Sequence, residues 1–258
     1  KISCINKELL IKIQKALNVK YNSNTTILYN NISKKIKTIS KCKTELCWMD
    51  INHIINNLSI SDINELKLMF KPIMSSTWKK NKFQWLNTNE IENVLNQYSI
   101  ANDDFYFYGA SPSDYDNIGV CNLYNICNIN IKKHIIDGIK RIAIVFNTDE
   151  SNKPGKHWVC IYIDLFKQNS NFPSIYYFDS IGNYPQKNIL KFINKVRSQK
   201  KMNFYYNNIK HQEKNTECGI YCIHFITYML NNGDFIKYIT DIKSDVFIHK
   251  FRSFYFNK

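Results

Sequence analysis

The chain has 258 residues, 44% of them hydrophobic and 14% aromatic, which suits a folded globular protein with one large core, with or without a smaller appendage. Its formal charge of +14 favours anionic partners through salt-sensitive attraction. The excess is Lys, with Arg141, Arg197 and Arg252 as the guanidinium groups, so bidentate reading of phosphate or guanine has little to work with and weak, non-specific nucleic-acid binding through a solvated Lys surface is the most it implies.

In chain order, residues 1–77 read as a polar helical arm, with apolar spacing in Leu9, Leu10, Ile13 and Leu17 and again in Ile60, Ile63, Leu66 and Met69. Pro72 and the Ser75-Ser76 pair end that pattern, which puts the boundary of the second domain, 78–258, near residue 77. A helix follows at about 89–98, with Thr88 or Asn89 as its cap. Strands rich in β-branched and aromatic residues are expected at 105–108, 142–147, 158–164, 175–179 and 204–209. Helices at 186–197, 218–230 and 244–254 complete an α+β pattern.

No secretory apolar region opens the chain, and wholly apolar runs such as 142–146 are too short to span a bilayer, so no membrane partner is expected. Residue 1 is Lys, which points to a trimmed or processed start. The eight cysteines are spread along the chain, which fits a reducing compartment better than a disulfide-stapled secreted domain. Cys42/Cys47 and Cys121/Cys127 lack paired His at zinc spacing and are expected as free thiols; no metal or other cofactor is called for.

The chemistry converges on Cys218. A nucleophilic thiol needs a base, an electropositive seat and donors for the oxyanion it creates. Cys218 opens a helix, where free N–H groups and the helix dipole favour thiolate, and Gly219 beside it admits close backbone approach. Of the six His, His157 follows the Pro154-Gly155-Lys156 turn at the start of a strand and can project from a sheet end. His224 lies on the Cys218 helix facing away, and His211 is a weaker candidate. Asp179 ends the next strand, where its carboxylate can hold the distal imidazole nitrogen. Gln212, just ahead of Cys218, offers a side-chain amide to the oxyanion. Taken singly, each also fits a structural role: a buried Cys, a satisfied strand His, a turn-forming Asp. Cys160 and Cys222 are expected as buried packing, with Cys222 an oxidation partner for Cys218.

The order His157, Asp179, Gln212, Cys218 reverses that of papain-like enzymes and resembles the adenain and SUMO-specific protease superfamily. Gly155-Lys156-His157-Trp158-Val159, Phe178-Asp179-Ser180, His211-Gln212, Thr216-Glu217-Cys218-Gly219 and Ile239-Thr240-Asp241 to Lys250-Phe251-Arg252 are similar to motifs of its viral branch, the polyprotein-processing proteases of African swine fever virus and giant viruses. Trp85-Leu86-Asn87 resembles the motif that opens SUMO-protease domains. The resemblance implies a circularly permuted papain-like core, with a central mixed sheet flanked by helices, and an N-terminal helical arm. It further implies a tunnel for a Gly-Gly substrate between Trp85 and Trp158, which also fit as core aromatics. The chain departs from SUMO proteases at Thr88 and Glu217, where they carry Asp, and from the swine fever enzyme at Asp179, where that enzyme has Asn.

The function implied is an endopeptidase that cleaves viral structural polyproteins at Gly-Gly-X sites during virion maturation, in the host cytoplasm at the assembly site and in the virion. An isopeptidase acting on SUMO or ubiquitin conjugates and a catalytically inactive basic binding protein are the alternatives.

Overall fold

The computed structural model describes residues 3, 5–42, 45–117, 119–121, 125–166 and 172–257. They form two compact units, 1–72 and 73–258. The division falls ahead of residue 77 because Ile73 bridges Asn257, and Trp78 meets Phe256 edge to face, so this stretch belongs to the second unit's own core.

The first unit is helical: α1 (Lys7–Ala16), α2 (Thr25–Ile39), α3 (Asn52–Ile55) and α4 (Ile60–Leu68). Leu9, Leu10 and Ile13 of α1 meet Leu28, Ile32 and Ile36 of α2 in a core closed by Trp48 and Ile54. The stripe expected on α4 is only partly used, since Leu66 is buried and Ile60 is exposed.

The second unit opens with α5 (Thr88–Ala101). Its cap is Asn87 rather than Thr88 or Asn89: the Asn87 side chain accepts from the Glu90 N–H and Glu90 accepts from the Asn87 N–H, a reciprocal capping box. There follow β1 (Phe105–Pro112), α6 (Ile131–Ile136), β2 (Arg141–Asn147), β3 (Trp158–Asp164), β4 (Ser174–Phe178), α7 (Lys187–Gln199) and β5 (Asn203–Tyr206). α8 (Cys218–Leu230), α9 (Phe235–Thr240), α10 (Asp245–His249) and α11 (Phe251–Tyr255) complete it; the single helix expected over 244–254 is broken at Lys250.

The five strands form one mixed sheet in the order β1-β2-β3-β4-β5, antiparallel across β2-β3-β4 and parallel at both edges. Both faces are covered. Ala143, Val145, Cys160, Tyr162, Tyr176 and Phe178 face α5 and α8, and the alternate residues Ile142, Ile144, Ile161, Ile163, Ile175 and Tyr177 face α7. Burial on both faces is why β2 and β3 read as unbroken apolar runs. Helix α8 is buried on nearly every side, in keeping with its apolar sequence.

The cysteine pairs expected as free thiols are joined, Cys42 to Cys47 and Cys121 to Cys127. Each pair closes a short loop whose Cα atoms come within 5.7 Å and 5.4 Å, inside bridging range. Cys160, Cys218 and Cys222 are free and buried; Cys4 lies outside the described residues. No helix among the described residues is long and apolar enough to cross a membrane.

Replacing Asn87 by Ala removes the capping box of a helix that packs on α8 and β1. It should cost about 1 kcal/mol, read as a lower midpoint in denaturant with an unchanged slope.

Candidate active site

The sheet brings two chain-distant strand ends side by side. β3 pairs with β4 so that Cys160 faces Phe178, and His157 and Asp179 therefore leave the same edge of the sheet. Ahead of His157 the 148–156 loop is tied to Asn147, whose side-chain oxygen accepts from Asp149 N at 2.9 Å and Lys156 N at 3.1 Å. Gly155 in this loop has φ +95° and leaves no room for a Cβ, which would stand 2.8 Å from the Asn147 amide nitrogen.

His157 Nε2–H donates to Asp179 Oδ1 at 2.6 Å, and the imidazole also hydrogen-bonds Cys218. With Nε2 on Asp179, the nitrogen left for Cys218 is Nδ1. Burial pushes this imidazole down, but the hydrogen bonds to Asp179 and Cys218, with the charges of both, lift it to about 9. The pair at neutral pH is therefore an imidazolium held between two acidic groups. Cys218 is 2% exposed and begins α8, where the first-turn N–H groups have no partner within the helix.

Gln212 is brought to the same place. Its amide oxygen accepts from Ser180 Oγ–H at 2.6 Å, which fixes which end of the buried amide carries the NH2 group; one N–H donates to the Lys214 carbonyl and the other remains to donate. Its backbone N–H, with that of His211, donates to the Ser180 carbonyl at 2.8 Å and 2.9 Å.

His211 has no place in this constellation. Buried, it donates from Nε2 to the Ile239 carbonyl and accepts at Nδ1 from Lys243 N, so both nitrogens are occupied and the neutral ring is favoured. His224 bonds the Tyr238 hydroxyl at 2.8 Å, and burial lowers it to about 4. Cys222, one turn beyond Cys218, is a thiol pushed well up by burial and lies 1% exposed, with Cys160 Sγ–H reaching its carbonyl. No group of His, Cys, Asp and Glu able to hold a metal occurs among the described residues.

Trp85 and Trp158 line one groove of about 490 Å³ together with Leu86, Asn147, Asp149 and Gly155. They are not equivalent. Trp85 is 37% exposed, whereas Trp158 is 6% exposed, belongs to the core and donates its indole N–H to the Leu86 carbonyl at 2.8 Å. The groove reaches the Cys218 helix through Leu86, whose Cβ would stand 2.9 Å from a Cβ on Gly219.

Two supports have roles that the sequence did not assign. Asn207, fully buried, accepts from Asp179 N and donates to Asp179 O, both at 2.8 Å. Glu217, 1% exposed, turns away into an ion pair with Arg252 Nε at 2.8 Å and a hydrogen bond from His249 Nδ1 at 2.8 Å. Its signal was the similarity of the tail that ends in Arg252.

The model of the Ulp1 protease family, C-terminal catalytic domain, matches residues 86–255. A protein of Acanthamoeba polyphaga mimivirus named as a thiol protease is 30% identical over 98% of this chain and 89% of its own length. A cysteine protease of African swine fever virus is 27% identical over 99% of this chain and 92% of its own. The crystal structure of the protease of that virus covers 100% of this chain and 92% of its own at 25% identity, with a TM-score of 0.69.

The imidazole of His157 should titrate near pH 9 by NMR, and Asp179→Ala, which removes one of the groups that lift it, should bring that value down. A titration unmoved by the substitution would separate Asp179 from the ring.

Proposed function

The chain belongs to the Ulp1 protease family and is a viral cysteine peptidase, and on that premise we propose that Cys218 is its nucleophile, His157 the base and acid, Asp179 the residue that orients His157, and Gln212 an oxyanion donor. The observation that carries the reading is His157 held between Asp179 Oδ1 and Cys218 at the first turn of a buried helix. His157 takes the Cys218 proton, and the thiolate attacks the scissile carbonyl. The oxyanion meets the Cys218 N–H and the Gln212 amide, the collapse of the tetrahedral intermediate releases the amine with the proton from His157, and water enters the thioester by the same steps.

The substrate class is a viral structural polyprotein cut at Gly-Gly-X during virion maturation. Supporting this is the groove between Trp85 and Trp158, whose wall at Leu86 lies against the helix that begins at Cys218. An indole fixed by its hydrogen bond and core packing does not yield to a methyl group, so glycine is selected by exclusion of every Cβ. Trp158 is a core residue as well as a wall, so Trp85 is the position at which the selection is tested without disturbing the fold.

The test is steady-state cleavage of matched peptides by purified variants. Cys218→Ala and His157→Ala should lose turnover with their circular dichroism unchanged, and Gln212→Ala should lower kcat roughly ten- to a thousandfold at little change in KM. Asp179→Asn, which still accepts from the imidazole, should be milder than either. Gly-Ala and Ala-Gly peptides should be cut far more slowly than Gly-Gly, and Trp85→Ala should narrow that difference. Turnover by Cys218→Ala overturns the nucleophile; equal rates on Ala and Gly peptides overturn the groove; faster release from SUMO conjugates than from polyprotein peptides assigns the site to an isopeptidase.

The pH profile follows from the same geometry. The active pair is thiolate and imidazolium, and the imidazolium must give its proton to the leaving amine. As pH rises through about 9 His157 loses that proton and kcat/KM should fall. A rate still climbing well above pH 9 contradicts the imidazolium as the acid.

A further inference from the structure

Away from the groove, a second cavity of about 480 Å³ is lined by Met74, Trp78, Lys82, His249, Lys250 and Arg252. We propose that it binds an amphiphilic carboxylate, an anionic head on an apolar body, and that occupancy is felt at Cys218 through Arg252 and Glu217.

The volume is that of a small-molecule site, within about 300–1,000 Å³. Its charge is one-sided. Arg252 and His249 are both turned to Glu217, while Lys82 and Lys250 make no ion pair among the described residues. Glu90 is the other carboxylate near Arg252; it accepts from Asn87 N at 2.9 Å in the cap of α5 and also interacts with the Trp78 side chain. Arg252 itself is 3% exposed, donates to Glu217 and, from Nη2, to the Gln84 carbonyl at 2.7 Å, and its Nη1 is buried with no partner among the described residues. A carboxylate head seated beside Lys82 and Lys250 meets two cations that have no ion pair among the described residues, with the Arg252 charge behind them. The lining also offers apolar surface: Met74 contributes to it, and the Trp78 ring stacks on the Arg252 guanidinium at 4.5 Å. Inorganic phosphate satisfies the cations but leaves that surface wet, and an apolar cation meets it with the wrong charge.

The coupling to the thiol is short. Glu217 immediately precedes Cys218, and its carboxylate is held by Arg252 Nε at 2.8 Å. A ligand that draws on the same guanidinium changes how the first turn of α8 is held, and with it the seat of Cys218.

Binding is measured by calorimetry on the full chain carrying Cys218→Ala, so that it stands or falls apart from the catalytic reading. The probes are octanoate, octylammonium and inorganic phosphate. Octanoate should saturate one site, and Lys82→Glu with Lys250→Glu, both at exposed positions, should weaken it by about tenfold or more. Octylammonium binding as tightly, phosphate binding as tightly, or an affinity indifferent to the charge reversal each overturns the site. In the wild type, saturating octanoate should change the rate of Cys218 alkylation by iodoacetamide about fivefold, read by mass spectrometry of its peptide. An unchanged rate overturns the coupling.

Discussion

Asn207 is the side chain on which the arrangement at the sheet edge depends. Asp179 follows the last paired residue of β4, where its own N–H and C=O have run out of strand partners. Asn207 supplies both, accepting from one and donating to the other at 2.8 Å, in a position with no solvent access. An unmet buried backbone group costs about 1–3 kcal/mol, so the strand end is fixed rather than frayed. The chain then runs on to give the Ser180 carbonyl the N–H groups of His211 and Gln212. Gly182, at φ +79°, lets this stretch pass so close that a Cβ would stand 3.0 Å from the Ile209 carbonyl carbon. The carboxylate against His157 and the amide aligned by Ser180 are thus held by one short segment, and neither can shift alone.

Cys218 is fixed from the other side by Glu217 and Arg252. A buried ion pair of this kind is weak evidence for stability, because desolvating both charges offsets most of their attraction. Its consequence here is positional. Arg252 joins the residue ahead of Cys218 to the Gln84 carbonyl, and the chain from Gln84 leads directly to Leu86, which meets Gly219 and accepts from Trp158. The groove wall, the first turn of α8 and the last helix are therefore one connected body.

What the sequence made legible follows from how local each signal is. α8 and β3 lie where their composition puts them, because a run apolar on all sides has to be interior. His157, Asp179 and Cys218 were readable because each sits at an element end, where a side chain can leave the core. Asn207 was not: it falls inside the expected strand 204–209, yet the strand stops at Tyr206 so that this side chain can serve Asp179. Glu217 stood out as a departure from SUMO proteases, and it is buried in an ion pair with Arg252 of the last helix. The cysteine pairs were misread because spacing alone does not say whether a short loop brings its ends together. Trp158 resisted a single reading because it has two surroundings, with its body in the core and an edge on the groove.

Three buried histidines show the same division between what burial does and what partners do. His157, His211 and His224 are all withdrawn from solvent, and burial pushes each of them toward the neutral ring. His211 meets a carbonyl and a backbone N–H, His224 meets a tyrosine hydroxyl, and both stay low. His157 stands between a carboxylate and a thiol, and their hydrogen bonds and charges outweigh the same desolvation and carry it to about 9. An imidazole that keeps its proton at neutral pH sets a cation beside Cys218, and two strand ends and one helix start suffice to build that difference.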